Sequence, residues 1–218
     1  MNDGIVFIDK PANMTSFGVV ARVRRVLTQK NGKKTKVGHT GTLDPFATGL
    51  MILTVGKECK NAMTYTKLDK SYQAKIKLGF NSSTGDPEGE ISKVSEIIPS
   101  EAEVVEALRG FIGKIEQTPP AFSAIKINGQ RAYKLAREGK TVEMPTRQVT
   151  IYGIKLISYN YPYLNIEADV SSGTYIRTLA EDIGKKLETG AYCEDLRRIS
   201  IDKWNVSDAE NLEDFMSM

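Results

Sequence analysis

The stretch from Val37 to Gly56 constrains this chain more than any other. It reads Val-Gly-His-Thr-Gly-Thr-Leu-Asp-Pro-Phe-Ala-Thr-Gly-Leu-Met-Ile-Leu-Thr-Val-Gly. Its first half is turn-forming: Gly38 and Gly41 permit backbone angles that other residues reach only with strain. Thr40 and Thr42 offer hydroxyls that can bond nearby backbone groups. Asp44 follows, held extended because Pro45 disfavours the helical region for the residue before it. The second half, Leu50 to Val55, has the length of a buried strand. A single carboxylate therefore sits on a stiffened loop whose far end is anchored in a core, which is how a fold presents a reactive group. Taken alone, Asp-Pro is ordinary turn chemistry. The long string around it is what argues for a site.

At 218 residues the chain suits one large domain or two closely packed halves. We take residues 1–218 as a single domain. A composition 40% hydrophobic and 26% charged is ordinary for a globular protein and excludes a disordered one. No apolar run approaches the roughly 20 residues of a membrane span, and the first residues lack the pattern of a signal peptide. Cys59 and Cys193 lie far apart and form no paired motif, which points to a reduced, cytoplasmic protein. His39 is the only histidine, so no metal site is expected. The net charge of +3 says little, but its distribution says more. Arg22, Arg24, Arg25, Lys30, Lys33, Lys34 and Lys36 share a span without an acid. Asp86, Glu88, Glu90, Glu96, Glu101, Glu103 and Glu106 share a span with one lysine. A basic face and an acidic one suit the orientation of a polyanion, and the basic run abuts the Asp44 loop.

Local patterns give the remaining elements. Ile5 to Ile8 is a short strand. Ser16 is a candidate cap for a helix to about Lys30 with the apolar stripe Phe17, Val20, Val23 and Leu27. Residues 57 to 68 look helical, and Tyr72, Ala74, Ile76 and Leu78 alternate with polar neighbours as in a half-buried strand. Ser100 and Glu103 form a capping box for a helix through Leu108. Residues 118 to 129 read as a proline-stiffened loop, a strand and a turn, and Arg131 to Gly139 as a short helix. Val149 to Val170 suggests two antiparallel strands joined near Asn160 to Pro162. Thr174 is a candidate cap for a helix buried through Ile176, Leu179, Ala180, Ile183 and Leu187, with Tyr175 and Arg177 pointing away from the core. Trp204 is expected to pack, and residues 208 to 216 to form a short acidic amphipathic helix.

The string Gly-His-Thr-Gly-Thr-Leu-Asp-Pro-x-Ala-x-Gly resembles the signature of the TruB family of tRNA pseudouridine synthases. Five further stretches resemble other family strings in order: Lys10 to Ser16, Lys70 to Ala74, Pro119 to Lys126, Gly173 to Arg177, and Leu196 to Arg198. Ser172 stands where many relatives have lysine. The resemblance implies an α+β pseudouridine synthase fold, with a mixed, largely antiparallel central sheet flanked by helices and an RNA-binding cleft. Many relatives also carry a C-terminal RNA-binding domain called PUA, which this sequence is expected to be too short to hold. Asp44 is then the catalytic carboxylate, Tyr72 and Arg177 complete the catalytic set, and His39, Tyr175 and Leu196 contact the substrate.

The implied reaction breaks the bond from ribose C1′ to uracil N1 and rejoins the base through C5, with no cofactor and no metal. Its implied substrate is the uridine at position 55 in the T loop of tRNA, acted on by a monomer. The site needs an ionised carboxylate in dry surroundings, although a buried, unpaired aspartate would become protonated. A permanent cation at Arg177 resolves that conflict. Attack at C1′, addition at C6 and removal of a 2′ proton are all open to Asp44. The uridine must be extruded from folded RNA at a cost of a few kcal/mol. His39 would then brace the vacated stack, Tyr72 and Tyr175 bound the freed base, and Leu196 give an apolar wall. Two other readings are a guide-RNA-dependent enzyme acting on ribosomal RNA and a non-catalytic chaperone of tRNA.

Overall fold

A computed structural model describes residues 2–127, 129–140 and 143–217. The chain opens with β1 (Gly4–Lys10), α1 (Ser16–Asn31), β2 (Val37–His39), β3 (Thr48–Val55) and α2 (Ala62–Thr66). There follow β4 (Lys70–Leu78), β5 (Phe80–Ser82), β6 (Ile91–Lys93), α3 (Glu101–Arg109) and β7 (Gly113–Gln117). Next come β8 (Lys126–Ile127), β9 (Gln130–Arg131), α4 (Ala132–Arg137), β10 (Arg147–Asn160), β11 (Tyr163–Val170) and α5 (Ile176–Lys186). The last elements are β12 (Ala191–Ile201), β13 (Trp204–Asn205), β14 (Glu210–Asn211) and α6 (Leu212–Ser217). The fold is α+β, and its strand pairs are mostly antiparallel. Two compact units divide it: Met1–Tyr72 with Arg197–Met218, and Gln73–Leu196. The chain passes from one unit to the other within β4 and again between Leu196 and Arg197 of β12.

In the first unit β3 is the central strand. It pairs antiparallel with β1, from Gly4 opposite Val55 to Lys10 opposite Gly49, and antiparallel with β2. It pairs parallel with β12 through Thr48 with Arg197 and Gly49 with Arg198. Every residue of β3 after Thr48 is buried, which is why the strand reads as a continuous apolar run rather than an alternating one. Leu50, Ile52 and Ile201 form a cluster onto which Ile5, Phe7, Tyr65, Leu68 and Trp204 pack. Trp204 thus packs as expected, with its ring 5.7 Å from that of Phe7. The helix α6 contacts both α1 and β1.

The helix α1 departs from expectation in two respects. Its cap is Thr15, whose hydroxyl accepts from the Gly18 amide at 3.0 Å, so the cap lies one residue before Ser16. Its buried stripe is Val19, Val20, Val23, Val26 and Leu27, and Phe17 is 64% exposed. A helix beginning at residue 16 turns position 17 away from the stripe, and the Phe17 ring instead lies under the Arg24 guanidinium at 5.9 Å. The helical span expected over 57 to 68 is shorter: a 3₁₀ segment Gly56–Asn61 leads into α2.

In the second unit β11, β10 and β7 form an antiparallel series, with β4 beside β11. The alternation expected along Tyr72 to Leu78 is present, each of Tyr72, Ala74, Ile76 and Leu78 being buried. The hairpin of β10 and β11 turns where expected, and two register shifts interrupt it. The capping box at Ser100 and Glu103 is formed and starts α3. The short helix expected from Arg131 begins at Ala132, and Asn128, half of the turn before it, lies outside the described residues. The cap expected at Thr174 is not made. Its hydroxyl donates to the Ser171 carbonyl at 2.9 Å, and α5 starts at Ile176 without a side-chain cap.

Candidate active site

The loop carrying Asp44 is held through its backbone by side chains and strands that lie around it in the first unit. The Thr40 amide and hydroxyl both donate to the Ile52 carbonyl of β3, each at 3.2 Å. At Leu43 the amide donates to the Ser16 hydroxyl at 2.8 Å, and that hydroxyl donates back to the Leu43 carbonyl at 2.9 Å. Because Thr15 caps α1, Ser16 is left available for this two-way bond. The Asp44 carbonyl accepts from the Ala47 amide at 3.2 Å. Lys10, fully buried at the end of β1, donates from Nζ to the carbonyls of Pro11 and Pro45 at 2.8 and 3.0 Å. Leu43, Phe46 and Ala47 plug the loop into the core, while Asp44 stays half-buried. A carboxylate on so restrained a backbone can be aimed with little conformational loss.

His39 closes β2 opposite Leu53 and is half-buried, a strand residue where a loop residue was expected. Tyr72 points to the buried side of β4 and is 7% exposed. Two residues before it stands Lys70, also buried, whose Nζ donates to the carbonyls of Thr66, at 3.0 Å, and Leu68. Burial lowers its pKa to about 8, the nearby Arg198 cation adds to the effect, and Asp69 opposes it. The unfolded chain therefore holds a proton that the folded one sheds between about pH 8 and the ordinary lysine value, so the Lys70 contribution to stability rises with pH across that window. We expect thermal melts from pH 7.5 to 9.5 to show a wild-type midpoint that climbs relative to Lys70→Met. Parallel pH dependences in the two proteins would contradict this.

The other three residues belong to the second unit. Tyr175 is half-buried, and the buried Gln117 side chain grips its backbone. The Gln117 oxygen accepts from the Tyr175 amide at 2.8 Å, and its nitrogen donates to the Tyr175 carbonyl at 3.0 Å. The Arg147 guanidinium lies 4.8 Å above the Tyr175 ring and donates to the Gly173 carbonyl. Leu196 is buried.

Arg177 corrects the expectation that it points outward from α5, because it is 2% exposed. Its Nη1 donates to Asp86 Oδ2 at 2.9 Å and to the Thr84 carbonyl at 2.8 Å, and its Nη2 donates to the Phe122 carbonyl at 2.8 Å. Asp86 is equally buried and is held by the Thr84 hydroxyl at 2.5 Å and the Glu88 amide at 3.0 Å. It is therefore no part of an acidic surface. A buried carboxylate with these bonds fixes the guanidinium in place. Of the six residues singled out in the sequence, Asp44, His39 and Tyr72 fall in the first unit and Tyr175, Arg177 and Leu196 in the second. Three are buried, three are half-buried, and none is a fully solvated side chain. Gln117 and Asp86 escaped the sequence reading. Gln117 gives no signal, and Asp86 stands among acids that are mostly exposed.

The fold resembles that of a chain in the crystal structure of a Cbf5-Nop10-Gar1 complex, with a TM-score of 0.74 and 25% identity, over 98% of this chain and 54% of that one. This chain thus spans about half the length of that solved relative. A model of the N-terminal domain of the TruB family pseudouridylate synthases matches residues 24–176. Two similar proteins are the tRNA pseudouridine synthases B of Clostridium acetobutylicum and Aquifex aeolicus, each 44% identical. The first match covers 97% of this chain and 72% of its relative, the second 99% and 74%. The fold and the family match together define the class, that of the pseudouridylate synthases. The chain belongs to the TruB family.

Proposed function

We propose that the protein isomerises uridine to pseudouridine in tRNA, at position 55 of the T loop, on a base flipped out of the RNA. The observation that carries this reading is the match along nearly the whole chain to relatives named tRNA pseudouridine synthase B. The Asp44 loop supports it, since its carbonyls and amides are tied to β1, β3 and the start of α1. Asp44 supplies the carboxylate that acts on sugar or base, and Arg177 is the second member of the catalytic set. Tyr72 takes part in catalysis, and His39, Tyr175 and Leu196 are substrate contacts, with His39 bracing the stack that the base leaves. No oxidation or group transfer to a second molecule occurs, so the residues need no cofactor. The protein works as a monomer in the cytoplasm. Incubation with unmodified tRNA, followed by mapping of pseudouridine by position, tests the reading. Modification at position 55 is expected, and its absence there would refute the assignment.

RNA affinity is expected to draw on the acid-free span of α1 and the turn after it. Arg25, Lys33 and Lys34 are exposed, and Arg24 half-exposed. Neutralising all four should flatten the dependence of log affinity on log salt by about 3, given a slope of roughly 0.7–0.9 for each phosphate that a cation neutralises. An unchanged slope would make the span a merely solvated face.

A further inference from the structure

Arg198 is the largest fully buried side chain among the described residues. Its Nε donates to the Leu50 carbonyl of β3 at 2.7 Å, and its Nη2 donates to the Gly41 carbonyl at 3.2 Å. One planar guanidinium therefore bridges the beginning of the Asp44 loop and the strand into which that loop runs. Its own backbone is fixed by the parallel pairing with Gly49, which has φ of +107°. A Cβ on Gly49 would collide with the Arg198 main chain, so only glycine allows the approach. The Lys70 stem packs under Gly41 on the same side. The tethers of the loop thus come at both ends. Ser16 and Lys10 hold Leu43 and Pro45, and Arg198 holds Gly41 to Leu50.

We propose that Arg198 is a positioning residue for the isomerisation: its buried guanidinium fixes the distance between the Gly41 and Leu50 carbonyls, and with it the aim of Asp44. This rests on the function proposed above. Arg198 is fully buried. It restrains the backbone that presents the carboxylate, and misplacement of a reacting group by about 1 Å can cost on the order of a hundredfold in rate. Lysine at this position would keep the charge but bring a single compact donor in place of the planar fork.

The test measures four properties of Arg198→Lys: the melting curve, tRNA affinity, the single-turnover rate at saturating tRNA, and amide hydrogen exchange across residues 40–46. The expected result is a rate at least about tenfold lower, affinity within about twofold of wild type, and faster exchange in that loop alone. Arg198→Met fills the same volume without a buried charge and covers the case in which the lysine variant fails to fold. A purely structural arginine would lower the melting point and leave the rate of the folded fraction unchanged. Wild-type rate, unchanged exchange or a defect confined to affinity would each overturn the proposal, as would failure of both variants to fold. If the wild-type protein formed no pseudouridine in tRNA, the function would fall, and the exchange arm would still decide whether Arg198 restrains the loop.

Discussion

Asp44→Asn is expected to abolish pseudouridine formation, by at least about a thousandfold, while tRNA binding stays within about twofold of wild type. The substitution keeps the shape of the side chain and removes only its charge and basicity. The loop keeps its tethers through the hydroxyls of Ser16 and Thr40, the Lys10 amine and backbone groups. The half-buried position also spares the core, so the melting curve should move little. Mapping of pseudouridine in tRNA and a filter-binding titration check the two halves of the expectation. Turnover in the variant would take Asp44 out of its role. A chaperone without catalysis makes the opposite prediction, since its effect on tRNA folding would survive the substitution.

The second large effect concerns Arg177 and carries a complication that Asp44 does not. Arg177→Ala should reduce turnover far more than affinity, because the guanidinium lies buried rather than on an RNA-facing surface. It would also leave Asp86 as a buried carboxylate without its cation, a destabilisation on the order of 3–5 kcal/mol for a pair of this kind. Activity must therefore be read beside stability. Replacing both members, as Arg177→Met with Asp86→Leu, removes the stranded charge and should recover much of the stability without recovering turnover. Denaturant melts and single-turnover rates on the two variants separate the outcomes. Recovery of the rate in the double variant would mean that the arginine serves the fold and not the reaction.

Much of this architecture could be read from the chain because its signals were local. The alternation along β4, the capping box at Ser100 and the hairpin of β10 and β11 each depend on residues near one another in sequence, and each stands as expected. The misses have a common physical cause. Thr15 and Ser16 are adjacent hydroxyl residues, and either could cap a helix. Ser16 was displaced from that role because Leu43, 27 residues away, offers it two backbone partners. Arg177 stands at the polar end of an amphipathic helix, and partners far along the chain, among them the carboxylate of Asp86, 91 residues distant, make its burial tolerable. Asp86 in turn looked like one acid among many. The buried guanidinium of Arg198 was invisible for the same reason, since its acceptors are carbonyls that any sequence would supply. The Asp44 string was legible as a loop on a strand because Pro45, the glycines and the apolar run state it directly.

The neighbouring hydroxyls of Thr15 and Ser16 divide two tasks across one peptide bond, the first setting where α1 begins and the second gripping Leu43. Any change that moves the first turn of that helix by a single residue therefore unhooks a loop it never touches. Fraying at the helix start and loss of reactivity become one event, so a mutation on the outer surface of α1 could silence the protein while leaving every group near Asp44 unaltered.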